Sequence, residues 1–223
     1  MRENFSPKMA TRIGLISDVH ARPEPLREAL EIFQRERVDD IICLGDIAGY
    51  YAGLKPCIDL LQQHRCKTII GNHDEKFLQS DESDGESNER EFLGALPRFL
   101  KLELGGMSLY AVHAQPPEET HGGIKLLDQY GEMIEARKTE WSQKLEHFPA
   151  DVLLVGHTHQ VFAEKLGELL VVNPGSTAFN HSCMILSLPD CALQTFALEQ
   201  KSIIKSWNFG RMFGAKEPYP TAH

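Results

Sequence analysis

The sequence predicts an α/β protein in which two β-sheets pack face to face with helices outside. Three observations carry this. Between residues 11 and 70, short apolar runs alternate with amphipathic stretches in the order strand, helix, strand, helix, strand, the pattern of a parallel sheet. From residue 99 onward the chain is rich in short strands punctuated by glycine and proline. Five apolar runs end in aspartate, asparagine or histidine, which sets polar side chains beyond the carboxyl ends of strands, where open α/β sheets hold their ligands.

Taken in order, residues 1–10 read as a leader, with Met9 an alternative start to Met1, and residues 11–17 as a buried strand. Pro23 and Pro25 open a helix that runs to about Glu36, with Leu26, Ala29, Leu30 and Phe33 at helical spacing. Residues 40–44 form the second strand. A loop from Gly45 to Leu54 contains Tyr50, Tyr51 and Gly53. Pro56 starts a second helix with Cys57, Ile58 and Leu61 on its apolar face, and residues 67–70 form the third strand. Residues 79–91 are acidic, lack a core side chain and read as a solvated loop. Strands 99–104 and 107–112 flank Gly105-Gly106, a hairpin signal. A helical stretch is expected from about Lys125 to His147, then strands at 151–155, 161–165, 169–172, 183–188 and 192–198. No linker divides the chain, so residues 11–198 are expected to form a single domain. Residues 199–223 are a C-terminal extension whose Trp207, Phe209 and Phe213 pack on the body or meet a partner.

Apolar content of 42% and charged content of 25% are ordinary for a globular protein. The net charge of −9 argues against broad nucleic-acid or anionic-membrane binding, but not against a small phosphorylated substrate, because bound dications reverse the sign locally. The five cysteines are odd in number and lack CxxC spacing, which fits reduced thiols and a cytoplasmic setting. No run reaches membrane-spanning length, and no signal-peptide core is present. Assembly into a homo-oligomer is left open.

The chemistry sits at the strand ends. Asp18 and His20 follow the first strand, Asp46 the second, Asn72 the third, His113 the hairpin, and His157 and His159 the strand after it. Two carboxylates, one amide and four imidazoles are too many for one tetrahedral zinc. They suit two divalent transition metals sharing a bridging carboxylate, about 4 Å apart, a clamp for in-line displacement at phosphorus. Gly71 allows a tight turn ahead of Asn72, His73 and Asp74. His73 offers a proton near neutral pH, and Asp74 a carboxylate able to orient it. Any one of these motifs alone is compatible with an ordinary turn; together, each at a strand end, they converge on one site. His64, His121, His147, His181 and His223 receive no metal role, although His121 and His181 lie in loops that could approach substrate.

Asp18-x-His20, Gly45-Asp46, Gly71-Asn72-His73-Asp74, His113 and Gly156-His157-x-His159 resemble the signature of the calcineurin-like metallophosphoesterases. Gly45 to Tyr50 and Asn173-Pro174-Gly175-Ser176 resemble its small prokaryotic YfcE-like phosphodiesterase branch. The resemblance spans roughly residues 11–198 and implies a four-layer α/β/β/α sandwich of two mixed sheets. It implies that Asp18, His20 and His159 hold one metal, that Asn72, His113 and His157 hold the second, and that Asp46 bridges them. Manganese is the expected ion, with iron, nickel and zinc as alternatives. His73 would assist the leaving group, with Asp74 tuning it, while a metal-activated hydroxide cleaves a phosphodiester. Phosphomonoesters, including phosphoproteins, and dinucleoside polyphosphates are the alternative substrates; a non-catalytic scaffold and a nuclease are rival readings. The chain departs from the family at Ala21-Arg22, where Gly-Asn is usual, and at Ala114-Gln115-Pro116 after His113. Arg22 is therefore expected either to contact a phosphate or to face solvent.

Overall fold

The computed structural model describes residues 10–81 and 87–207. The first sheet has the order β10-β9-β1-β2-β3, with β1 Thr11–Ile16, β2 Asp40–Cys43, β3 Lys67–Thr68, β9 Ser182–Leu188 and β10 Ala192–Ala197. The second has the order β4-β5-β6-β8-β7, with β4 Phe99–Leu104, β5 Met107–Val112, β6 Val152–Leu154, β7 Val161–Leu166 and β8 Leu169–Pro174. β1 runs parallel to β2, and β2 to β3, whereas β9 and β10 are antiparallel additions. In the second sheet β5, β6 and β8 are parallel, and β4 and β7 close the edges antiparallel. Both sheets are mixed, as expected.

Alternation along the strands builds the layers. Leu109 and Ala111 of β5, Val152 and Leu154 of β6, and Leu170 and Val172 of β8 pack in one cluster with Ile13, Leu15, Ile42, Leu44 and Leu186 of the first sheet. This is the core between the sheets. The intervening residues, Tyr110, Val112, Leu153 and Val171, join Leu145 and Trp141 on the outer face, covered by α5 Glu135–Lys144. On the other side, α1 Pro23–Arg35, α2 Leu54–Gln63 and α4 Ser87–Gly94 contribute Leu26, Leu30, Phe33, Leu61 and Leu93 against Ile16, Cys43 and Ile185. Phe33 is fully buried, a gain of up to about 3 kcal/mol. Gly14 makes that contact available: a Cβ there would stand 2.6 Å from Phe33 Cδ2.

Several elements differ from expectation. α2 begins at Leu54 rather than at Pro56, because proline is tolerated throughout a first turn, where N–H groups lack helical partners. β3 is shorter than residues 67–70, since Ile70 donates its N–H to the Pro97 carbonyl instead of the ladder. A helix, α3 Asn72–Gln79, follows at once and was not expected. The expected solvated loop at 79–91 ends in α4, on which Glu89 and Leu93 are buried, while residues 82–86 lie outside the described residues. The helix expected from Lys125 starts only at Glu135. Residues 125–134 fold back instead: Asp128 Oδ1 accepts the N–H groups of Tyr130 and Glu132, Leu127 bridges Met133, and Gly131 takes φ +84°. Beyond β10, residues 199–207 return over the body. Ser206 bridges Gln160, and the Trp207 ring lies 5.1 Å from Phe179. Phe209, Phe213 and residues 1–9 lie outside the described residues.

Candidate metal centre

The carboxyl ends of β1, β2, β3, β5 and β6 meet at one edge of the two sheets, and the loops beyond them are fastened to one another. Asp18 N–H donates to the Gly45 carbonyl (3.0 Å), His20 N–H to the Asp46 carbonyl (2.9 Å), and Gly156 N–H to the His113 carbonyl (2.7 Å). Asp18, His20, Asp46, His157 and His159 all carry positive φ, between 49° and 62°. This conformation is unfavourable for residues other than glycine, and here it turns each side chain back over the strand ends. Gly71 approaches Asp46 so closely that a Cβ would stand 2.1 Å from Asp46 Oδ1. That contact, rather than an unusual backbone angle, explains the glycine.

Two groups of donors result. His20 Nε2 is 3.0 Å from His159 Nε2, and Asp18 Oδ1 is 3.1 Å from His159 Nε2. Asn72 Oδ1 is 3.2 Å from His113 Nε2 and 2.8 Å from His157 Nδ1. Asp46 Oδ1 lies 3.3 Å from His113 Nε2. Asp46 also falls in two sets of ligand atoms that lie within 4.8 Å of one another, one with His113 and His157 and one with His20 and His73. Bonds of about 2.1 Å at 90–109° place neighbouring ligands of one ion roughly 3.0–3.4 Å apart, so these spacings suit divalent cations.

The hydrogen bonds favour the same conclusion. Ser17 Oγ–H and His157 N–H both donate to Asp18 Oδ2, at 2.6 and 3.0 Å. Asp18 Oδ1 is buried and, among the described residues, accepts no hydrogen bond, its near neighbour being His159 Nε2. His113 Nδ1 faces the Leu44 carbonyl at 2.6 Å, and a carbonyl only accepts, so the proton sits on Nδ1. The Nε2 lone pair of a neutral His113 then points at the oxygens of Asn72 and Asp46, an arrangement that requires a cation between them. Without a metal that cation is a proton. Burial pushes the His113 imidazole down, but Asp46 and Asp18 outweigh it and raise its pKa to about 10. Burial lowers His20 and His157 to about 4, leaving both neutral, the form in which imidazole binds metal. Burial would raise Asp18 and Asp46, but the surrounding imidazoles hold both below the usual carboxylate range.

Residues 11–188 match the model of the calcineurin-like phosphoesterase superfamily domain. The chain belongs to this superfamily. It is 25% identical over 179 residues to the uncharacterized protein MJ0912 of Methanocaldococcus jannaschii, covering 73% of this chain and 68% of that protein. It is 25% identical over 164 residues to the phosphodiesterase MJ0936 of the same organism, covering 74% and 82%. The crystal structure of a hypothetical protein from Pyrococcus horikoshii OT3 shares the fold with a TM-score of 0.72 at 17% identity, covering 86% of this chain and 89% of that one. This calcineurin-like phosphoesterase is a metal-dependent phosphoesterase of the α/β class.

All seven expected ligands of this phosphoesterase converge, and His73 stands beside them. The His73 N–H donates to Asp46 Oδ1 at 2.8 Å, and its half-buried ring packs 4.9 Å from His20 and 4.8 Å from Tyr50. Burial lowers its pKa, opposed by Asp46 and Asp18. Asp74 departs from expectation. Its two oxygens accept the N–H groups of Ala48 (2.7 Å) and Gly71 (2.8 Å), and among the described residues no hydrogen bond joins it to His73. It fastens the Asp46 loop to the start of α3. Burial and the charge of Asp46 raise its pKa to about 7.

Arg22 departs too. It neither faces solvent nor the metal centre: Nη1 donates to the Ala178 carbonyl (3.0 Å) and Nη2 to Glu199 Oε1 (2.5 Å), with its guanidinium 5.6 Å from the Tyr51 ring. His181 lies 3.5 Å from the same Glu199, and His121 Nδ1 lies 3.1 Å from Thr120 Oγ1. Neither lines the cavity over the ligands, which measures about 650 Å³. Sequence reasoning missed much of that cavity's wall. Tyr50 follows Asp46 closely and was within reach of a local reading, whereas Lys125, Arg137 and Trp207 arrive from distant segments.

Proposed function

We propose that this protein hydrolyses phosphodiester bonds at a dinuclear centre. Asp18, His20 and His159 would hold one ion, Asn72, His113 and His157 the other, and Asp46 would bridge them. The observation that carries this reading is the position of Asp46, within ligand spacing of both histidine groups. Bound divalent ions supply Lewis-acid stabilisation of the phosphoryl oxygens and a nucleophile from water at neutral pH. Manganese fits the mixture of imidazole and oxygen donors; iron, nickel and zinc also do.

The chain's own residues arrange the rest. Ser17 and the His157 N–H occupy one oxygen of Asp18 and leave the other for the metal. Leu44 fixes the His113 tautomer. Asp46 and His73 are joined through the backbone of His73, so the His73 ring is registered against the bridging carboxylate. From the cavity wall, His73 donates a proton from its imidazole to the departing oxygen. Asp74 positions both loops. Diesters are preferred over monoesters because a relative carries the name phosphodiesterase.

The test is to load the protein with Mn²⁺ and assay bis(p-nitrophenyl) phosphate beside p-nitrophenyl phosphate, with a chelated control. Chelator-sensitive cleavage of the diester is the expected result. Preference for the monoester would recast the protein as a phosphatase. Two bound metals with no turnover of either ester would favour a binding role.

A further inference from the structure

The folded-back segment 125–134 and the first turns of α5 contribute Lys125, Leu127, Asp128, Ile134 and Arg137 to the lining of the cavity over the ligand set. Lys125 and Arg137 both line it. Among the described residues neither side chain makes a hydrogen bond or an ion pair. The acidic side chain of this segment, Asp128, accepts the N–H groups of Tyr130 and Glu132 on Oδ1 and makes no ion pair with Lys125 or Arg137 among the described residues. In a chain of net charge −9, two cations lining the cavity over the proposed metal ligands stand out.

The wall is built rigidly. Gln160, only 5% exposed and next to the ligand His159, accepts the N–H groups of Leu126 (2.8 Å) and Leu127 (3.0 Å) and donates to the Leu127 carbonyl (2.8 Å). Thus the segment that carries Lys125 is tied to the segment that carries a metal ligand. Tyr50, 48% exposed, offers an aromatic surface on the same cavity.

We propose that Lys125 and Arg137 form a second anion subsite, so that this enzyme selects phosphoesters bearing a further phosphate beyond the scissile one. The chemical class is a nucleoside bisphosphate ester, its sugar lying between the two anionic ends. This rests on the diesterase reading above. Lys125 and Arg137 are exposed and their side chains hold no protein partner among the described residues, so neither breaks an existing contact on pairing with phosphate, and arginine can do so with two parallel charge-assisted hydrogen bonds.

The experiment compares two chromogenic esters that differ by one phosphate: thymidine 5′-(p-nitrophenyl phosphate) and its 3′-phosphorylated counterpart. Both report p-nitrophenol. The wild-type enzyme, loaded with Mn²⁺, is expected to show kcat/KM about tenfold higher for the 3′-phosphorylated ester, expressed in KM. In Lys125→Ala/Arg137→Ala that ratio should fall to about one, and in Arg137→Glu below one. Equal kcat/KM for both esters in the wild type, or a preference that survives in the double variant, would overturn the proposal. Binding separates the two readings. Thymidine 3′,5′-diphosphate should bind the wild type at least fivefold more tightly than thymidine 5′-monophosphate, and the double variant should lose this difference. Failure to cleave either ester would overturn the diesterase reading, whereas equal binding of both nucleotides would overturn the anion subsite alone.

Discussion

Gly71→Ala tests the construction of the site most directly. The added Cβ would stand 2.1 Å from Asp46 Oδ1 and 2.3 Å from Asp46 N. Ordinary contact at about 3.5 Å requires a retreat of roughly 1.4 Å. The obstacle is a backbone nitrogen and a buried carboxylate, so no flexible side chain can yield. Asp46 Oδ1 also accepts the His73 N–H, so the displacement moves the Asp46 carboxylate and His73 together. Misplacement of about 1 Å at a reacting centre costs on the order of 100-fold in rate. Overpacking adds about 1–3 kcal/mol of destabilisation, or roughly 2–12 °C in Tm for a chain of this size. The control is Gly94→Ala in α4, where nothing lies within 4 Å of the added Cβ. Metal content per chain, turnover of bis(p-nitrophenyl) phosphate and thermal melts would be measured on all three proteins. Gly71→Ala with two metals, wild-type turnover and an unchanged melt would refute the reasoning.

Other outcomes follow from single contacts. His73→Ala should lower kcat by about 10²–10⁴ while metal analysis still finds the ions, because Asp46 and the six other proposed ligands are untouched; an unchanged kcat would remove His73 from the chemistry. Asp74→Asn retains one acceptor for two backbone donors and should cost about 1–3 kcal/mol in urea unfolding, since one of the Ala48 and Gly71 N–H groups loses its partner. Chelation should abolish turnover and lower Tm by about 10 °C, recovered on adding Mn²⁺, as expected for ions that bind only the folded chain, about 4 kcal/mol at 1,000 times Kd. A melt indifferent to chelator would argue against a built metal centre.

The sequence made the two sheets and the ligand set legible because both depend on local signals. Alternating apolar residues reported the strands, and each expected ligand lies one to five residues beyond a strand end. What escaped lacks an apolar periodicity, turns on a single side chain, or has long-range causes. α3 is nearly all polar, with Asp74 its one buried residue, so no apolar stripe announces it. Residues 125–134 look helical until Asp128 closes a turn on Tyr130 and Glu132. Arg22 is held by Glu199, 177 positions away, and no local pattern encodes that pairing. The same holds for the strap that brings Trp207 N–H onto the His159 carbonyl.

The left-handed backbone of Asp18, His20, Asp46, His157 and His159 reaches beyond the site. At roughly 1 kcal/mol each, five such residues store about 5 kcal/mol, comparable with the whole net stability of an ordinary domain. Ligation at the proposed centre would offset that cost, and an unloaded chain would carry it in full. Chains made while the ion is scarce would therefore spend more time open and be more readily degraded. Metal starvation would register first as a fall in the protein's abundance, before any loss of specific activity in the molecules that survive.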